Sequence, residues 1–125
     1  MSLLNDLATT EQRSILEVFE NPRIGREYHI IHTCPEFTSV CPKTGQPDFG
    51  TIVIDYVPDK LCLELKSLKL YYFSFRNRGI FYEAVVNTIL DDLVQVCDPL
   101  SMVVKGEFNV RGGFSSIITV QHSRA

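Results

Sequence analysis

The sequence predicts a small α+β domain: two β-hairpins with a pair of helices between them, folded as a four-stranded antiparallel sheet under two helices. Three observations predict it. Stretches toward each end of the chain alternate apolar and polar residues, the stretch between them switches to helical spacing, and turn residues mark each change of period. Residues 1 to 26 read as a loosely attached N-terminal arm, with a short helix-like run around Ser14 to Glu20 that Asn21-Pro22 ends. The domain proper then spans 27 to 125. EYHIIHT (27 to 33) has strand character. GTIVIDYV (50 to 57) places Ile52, Ile54 and Tyr56 on one face and Thr51, Val53 and Asp55 on the other. Pro58-Asp59-Lys60 turns the chain, and LCLEL returns as a short extended piece. Leu65, Leu68, Tyr72 and Phe75 then fall at helical spacing. After the Asn77-Arg78-Gly79 break, Phe81, Val85, Ile89, Leu93 and Val96 mark a second helix, which Asp98-Pro99 ends. MVVKGEFNV and FSSIITV, separated by Arg111-Gly112-Gly113, form the closing hairpin. A sheet this small exposes its edges, and pairing with further copies is the natural way to cover them.

Composition narrows the function classes. A chain of 125 residues with 45% hydrophobic residues builds one domain with a modest core. A net charge of -3 and the absence of a lysine-arginine run argue against a partner held by nucleic-acid phosphates. No apolar stretch approaches the roughly 20 residues of a membrane span. The opening MSLLNDLATTEQRS lacks the basic and apolar regions of a secretory signal. Cys34, Cys41, Cys62 and Cys97 are therefore expected to be thiols in the cytoplasm.

Several residues carry chemistry, and each has a plain structural reading beside the functional one. CPKTGQPDFG sets Cys41 and Asp48 in one short loop stiffened by Pro42, Gly45 and Pro47. Cys41 is either a small buried hydrophobe or, with Lys43 two residues on, a thiol of lowered pKa. Asp48 is either a turn aspartate or a proton carrier within reach of whatever Cys41 attacks. Zinc would need ligands from His29, His32, Cys34 and Cys41, but their spacing fits neither a CxxC knuckle nor an HExxH helix, so no metal is expected. In ELKSLKLYY, Glu64, Lys66, Ser67 and Lys69 are either a solvated helix face or an anion site where a helix start offers free N–H groups and lysines. Glu83, beside Phe81 and Tyr82, either complements a helix dipole or accepts two N–H bonds from a purine-like edge while Phe81 stacks on the ring. Arg111 is either a turn residue or a phosphate contact.

Taken in order, PEFTSVCPKTGQPDFG, ELKSLKLYYFSFRNRGIFYE and the final RGG closely resemble the NADPH-dependent 7-cyano-7-deazaguanine reductases, the QueF family in its short form. The resemblance covers about residues 27 to 120 and includes the signature met by Glu64 through Tyr71. It implies the tunnelling fold (T-fold), with subunits assembled into rings, a decamer of two pentamers in the short forms, and active sites between subunits. It implies that Cys41 adds to the nitrile carbon to give a covalent thioimidate and that Asp48 moves protons. Glu64, Glu83, Phe81 and Tyr82 would hold 7-cyano-7-deazaguanine. Lys66, Ser67 and Lys69 would bind NADPH, with Arg111 a further candidate for its phosphates. The product would be 7-aminomethyl-7-deazaguanine, on the route to the tRNA nucleoside queuosine. Many members of the family have His-Glu where this chain has Tyr82-Glu83. A tyrosine of pKa near 10 donates a hydrogen bond but is rarely a proton carrier at neutral pH. Three other readings compete. A QueF-like amidinotransferase would lack the lysine signature, a zinc cyclohydrolase of the same fold would need a ligand set, and a non-catalytic purine-binding relative would not keep Cys41 with Asp48.

Overall fold

The computed structural model describes residues 9–124. Its elements are α1 (Thr9–Arg13), β1 (Val18–Glu20), β2 (Ile30–Val40), β3 (Pro47–Val57), β4 (Leu61–Leu63), α2 (Leu65–Phe73), α3 (Tyr82–Cys97), β5 (Ser101–Arg111) and β6 (Phe114–Ser123). Four antiparallel strands in the order β2-β3-β5-β6 make the main sheet, and β1 pairs with β4 in a two-stranded ribbon. The α+β architecture expected from periodicity is the one observed.

The period-2 pattern decides which face of the sheet is covered. Ile52, Ile54 and Tyr56 of β3 and Met102, Val104 and Phe108 of β5 are all buried against the helices. Helix α3 meets them with Val85, Val86, Ile89, Leu90, Leu93 and Cys97, the three-and-four spacing of one helical face. It stops where Asp98 adopts a left-handed backbone (φ 46°) and its N–H bonds back to the Val94 carbonyl.

Two differences from the sequence reading matter for the site. Both strands of the first hairpin are longer than expected: β2 runs on to Val40 and β3 begins at Pro47, so Asp48 sits on a strand rather than in a loop. Two prolines of this hairpin occupy strand positions that tolerate them. Pro47 is the first residue of β3, and Pro35 lies where the β2–β3 register shifts between Cys34 and Phe37 on an edge strand. The second difference concerns the segment read as a loose arm. The helix expected around Ser14 to Glu20 is absent there, and Val18–Glu20 form a strand. Over its described part the segment is firmly packed. Leu16 joins the core, and Gln12, fully buried, donates to Ser74 Oγ at 2.8 Å while its own carbonyl oxygen accepts from Arg78. Arg13 Nε donates at 2.9 Å to Asp92, a fully buried carboxylate in the middle of α3 that also accepts from the Tyr71 hydroxyl at 2.5 Å. Tertiary bonds to buried partners outweigh the weak helical pattern of so short a run. No helix among the described residues is long and apolar enough to cross a membrane.

Candidate active site

Cys41 opens the turn between β2 and β3. Its N–H donates to the Gln46 carbonyl and its carbonyl accepts from Gly45 N–H, both at 2.9 Å, with Gly45 at φ 73° where a side chain would strain the turn. On its other side the chain leaving α2 lies against Val40: Val40 N–H donates to the Arg78 carbonyl and Ile80 N–H to the Val40 carbonyl, each at 3.0 Å. The nucleophile candidate is thus held from both flanks, and α3 begins two residues beyond Ile80. Thr44, first through its hydroxyl and then through its N–H, and Lys43 through its N–H hold the Cys41 thiol below its ordinary pKa. The nearby Asp48 charge opposes them. Of the other free thiols, Cys34 is half-buried like Cys41, Cys62 and Cys97 are buried, and burial pushes Cys97 up to about 12. The surroundings of Cys41 favour its thiolate.

Asp48 points to the helix side of the sheet and is only 6% exposed. Its Oδ1 accepts from Arg111 Nη1 at 2.8 Å and from the Tyr82 hydroxyl at 3.1 Å. Tyr82 is aimed by packing. Its ring lies parallel to Phe108, 3.9 Å between centroids and 8° between planes. Phe108 in turn needs the absence of side chains beside it: a Cβ on Gly50 would come within 2.9 Å of its ring and 2.8 Å of the Glu107 carbonyl, and one on Gly106 within 2.9 Å of the ring and 2.7 Å of Val86. Burial first, and then the Asp48 carboxylate, raise the Tyr82 hydroxyl above its usual value, so it stays protonated and donates. Glu83 and Phe81 flank Tyr82, both exposed, with Glu83 in the first turn of α3. Ser39, paired across the sheet with Asp48, is fully buried and its Oγ has no hydrogen-bond partner among the described residues. A cleft of about 550 Å³ opens at this end, lined by Asp48, Tyr82, Arg111, Phe49 and Asn109.

The second group of candidates gathers at the start of α2. Glu64 is the N-cap: its Oε2 accepts from Lys66 N–H at 2.7 Å and its Oε1 from Ser67 N–H at 2.8 Å. Those two amides, Lys66 first, hold the Glu64 carboxyl below its ordinary value. The Lys66 and Ser67 amides, which an anion site at this helix start would use, are therefore taken by the chain itself. Ser67 is buried, with its hydroxyl donating to the Glu64 carbonyl at 2.8 Å and accepting from Glu17 N–H at 2.9 Å. Lys66 and Lys69 are exposed, and Lys69, with Arg76, borders a cleft of about 680 Å³ floored by Phe37 and Tyr72. This cleft and the one at Asp48 share Phe49 and Asn109. So Cys41, Asp48, Tyr82 and Arg111 come together, with Phe81 and Glu83 beside them. Among the described residues no hydrogen bond links Glu64, Lys66, Ser67 or Lys69 to that group. No cluster of three or more metal-ligating side chains occurs among those residues either.

Sequence reasoning missed Thr44, Phe108, Arg76 and Ser39. Phe108 had a signal, since a glycine inside a strand often marks a close approach, and Gly50 and Gly106 both flank its ring. Arg111, a candidate for the cofactor phosphates, lies at the Asp48 end of the sheet. It is bound to Asp48, and the glycines after it, at φ 58° and 86°, are what a two-residue hairpin turn with both φ positive requires.

A family model described as QueF-like protein matches residues 47–125. The chain is 58% identical over 113 residues to the NADPH-dependent 7-cyano-7-deazaguanine reductase of Chlorobaculum tepidum, covering 90% of this chain and 97% of the relative. Enzymes of the same name from Magnetococcus marinus (59% over 113 residues, 90% and 88% covered) and Chlorobaculum parvum (60% over 111 residues, 89% and 96%) are equally similar. The fold matches the crystal structure of the archaeosine synthase QueF-Like in the apo form with a TM-score of 0.70, covering 82% of this chain and 99% of that one; at 17% identity this likeness speaks for the fold alone. With most of its length aligned to these reductases at more than half identity, the chain belongs to the QueF-like family of NADPH-dependent 7-cyano-7-deazaguanine reductases.

Proposed function

We propose that this protein reduces the nitrile of 7-cyano-7-deazaguanine to the primary amine at the expense of NADPH, the step that feeds queuosine synthesis. The observation that carries the proposal is the pairing of a thiol held toward its thiolate, Cys41, with a buried carboxylate, Asp48, in a chain nearly 60% identical to reductases of that name. The thiolate sulfur adds to the nitrile carbon; one C–N π bond breaks, and the proton that left sulfur passes through Asp48 to the nitrogen, giving a thioimidate. Two NADPH molecules, bound in turn, would each supply one hydride, one for each reduction. When the carbon becomes tetrahedral the C–S bond breaks and Cys41 leaves again as a thiolate. Two hydrides and two protons convert nitrile to amine. The Tyr82 hydroxyl keeps Asp48 oriented throughout. Phe81, 53% exposed, and Glu83 beside it are placed to stack on and hydrogen-bond the base.

The residues present fit the cofactor. Lys66 and Lys69 are exposed on one helix, and Lys69 has no ion-pair partner among the described residues and faces a cleft wide enough for part of a dinucleotide. Binding would rest on these cations rather than on the helix-start amides, which Glu64 occupies. Glu64 and Ser67 would then support the lysines by fixing the first turn of α2. The exposed outer residues Ile31, Phe114 and Ile117 lie on the edge strands β2 and β6, as expected if copies join edge to edge into pentameric rings and a decamer. Four free thiols suit a reducing compartment, the cytoplasm. The test is the stoichiometry: two NADPH oxidised per nitrile consumed. Nitrile loss without NADPH oxidation would refute the reductase reading.

A further inference from the structure

We infer that Arg111 is a positioning residue for Asp48 and for the turn that carries Cys41, and that it does not serve as a ligand for the cofactor phosphates. The inference rests on the reading of Cys41 and Asp48 given above. Arg111 ends β5, where the β5–β6 register shifts between Phe108 and Arg111. Such a bulge re-aims the side chains that follow it. Here it turns the guanidinium across the mouth of the sheet onto the first residues of β3, beyond the last β3–β5 pair at Gly50 and Phe108. Nη1 donates to the Pro47 carbonyl at 2.5 Å and to Asp48 Oδ1 at 2.8 Å, and Nη2 donates to the Gln46 side-chain oxygen. Three consecutive residues of the hairpin are thereby held by one planar group. Gln46 is also the residue whose carbonyl accepts from Cys41 N–H.

Two consequences follow. Both Nη1 hydrogens are spent within the chain, leaving at most Nε–H and one Nη2 hydrogen for anything else. The positive charge is already matched by a carboxylate that is itself 6% exposed, so a phosphate would have to compete with a desolvated partner. The groups facing Asp48 are Arg111 from β5, Tyr82 from α3 and Cys41 from the hairpin. Of these, Arg111 is the cation.

Arg111→Met removes every donor, and Arg111→Lys keeps the charge but not the fork. The experiment follows, in the full-length protein, formation of the Cys41 adduct with 7-cyano-7-deazaguanine in the absence of NADPH across pH, and measures NADPH affinity separately. The expected result is adduct formation slowed at least tenfold in Arg111→Met, with a displaced pH profile and partial recovery in Arg111→Lys, and NADPH affinity within twofold of the parent. Should Arg111→Met not fold, Arg111→Lys alone decides: adduct formation slowed and its pH profile displaced at unchanged NADPH affinity supports the inference. NADPH binding weakened tenfold or more with adduct kinetics unchanged overturns it. Absence of any adduct in the unsubstituted protein overturns the reading of Cys41 and the inference with it, and that control separates the two failures.

Discussion

Replacing Tyr82 by phenylalanine separates two roles that the hydroxyl could have. The ring stays stacked on Phe108, because the 3.9 Å face-to-face contact involves no oxygen. What is lost is one bond to Asp48 Oδ1, at 3.1 Å, while the Arg111 bond at 2.8 Å remains. Strong O–H···O⁻ bonds run shorter than this, at about 2.5–2.7 Å. The net value therefore falls in the ordinary range of about 0.5–1.5 kcal/mol. If Tyr82 only orients Asp48, that energy corresponds to a loss of about 2- to 13-fold in the rate of adduct formation and reduction. If Tyr82 carried the proton, the loss would be the roughly 10²- to 10⁴-fold typical of a missing general acid. The raised pKa of its hydroxyl favours the first outcome, since a group that stays protonated donates but does not shuttle. The assay is stopped-flow absorbance of the Cys41 adduct, followed by NADPH consumption at saturating nitrile. A loss beyond a hundredfold in a well-folded variant would refute the orienting role.

Further outcomes are expected. Alkylation of Cys41 by iodoacetamide should rise with pH through a midpoint below the usual thiol value of about 8.5; because the folded pKa is lowered, reactivity persists to lower pH and is lost as pH falls through that midpoint. Thr44→Val removes the first cause of the lowering, so the midpoint should move up; an unmoved midpoint counts against the turn as the source. Lys66→Ala and Lys69→Ala together should raise the KM for NADPH about tenfold, equivalent to about 1.4 kcal/mol, with Cys41 adduct formation intact, and unchanged NADPH dependence would contradict the lysine assignment. Asp92→Asn breaks the pair between part-buried Arg13 and the fully buried Asp92 carboxylate and should destabilise the fold by about 3 kcal/mol, read as a thermal midpoint lowered by roughly 10 °C in a chain of this size.

The strands and helices were legible because each carries an uninterrupted period: Ile52, Ile54 and Tyr56 for β3, and Val85, Ile89 and Leu93 for α3. The full extent of the first hairpin was not legible because Pro35 and Pro47 interrupt the strand pattern in one dimension. A register shift on an edge strand and the first position of a strand accommodate them. The N-terminal segment was illegible for a different reason. Its attachment runs through Gln12, Arg13 and Asn21, polar residues whose partners Ser74, Arg78, Asp92 and Asp59 lie far along the chain. Local pattern carries no trace of such pairs. Glu64 shows the limit from the other side: the motif marks the residue, but only the backbone geometry reveals that its two oxygens already cap α2.

The same geometry fixes where the Tyr82 hydroxyl points. An imidazole tuned for proton transfer depends on its own pKa, whereas a tyrosine beside Asp48 depends on being aimed. The aim here is set from below, by two glycines that leave room for Phe108 and by Phe108 stacking flat on the Tyr82 ring. Gly106→Ala tests this directly. Its new Cβ would lie 2.7 Å from Val86 Cγ2 and 2.9 Å from the Phe108 ring, and neither group is free to retreat because Val86 and Phe108 are both buried. Overpacking of this kind costs about 1–3 kcal/mol, and the tilt it forces on Phe108 should be passed to Tyr82. The variant should therefore lose both thermal stability and adduct rate, while Gly106→Ala combined with Tyr82→Phe should lose little more rate than Tyr82→Phe alone. Rate losses that instead multiply in the double variant would mean that Phe108 acts on the site by a route other than the Tyr82 hydroxyl.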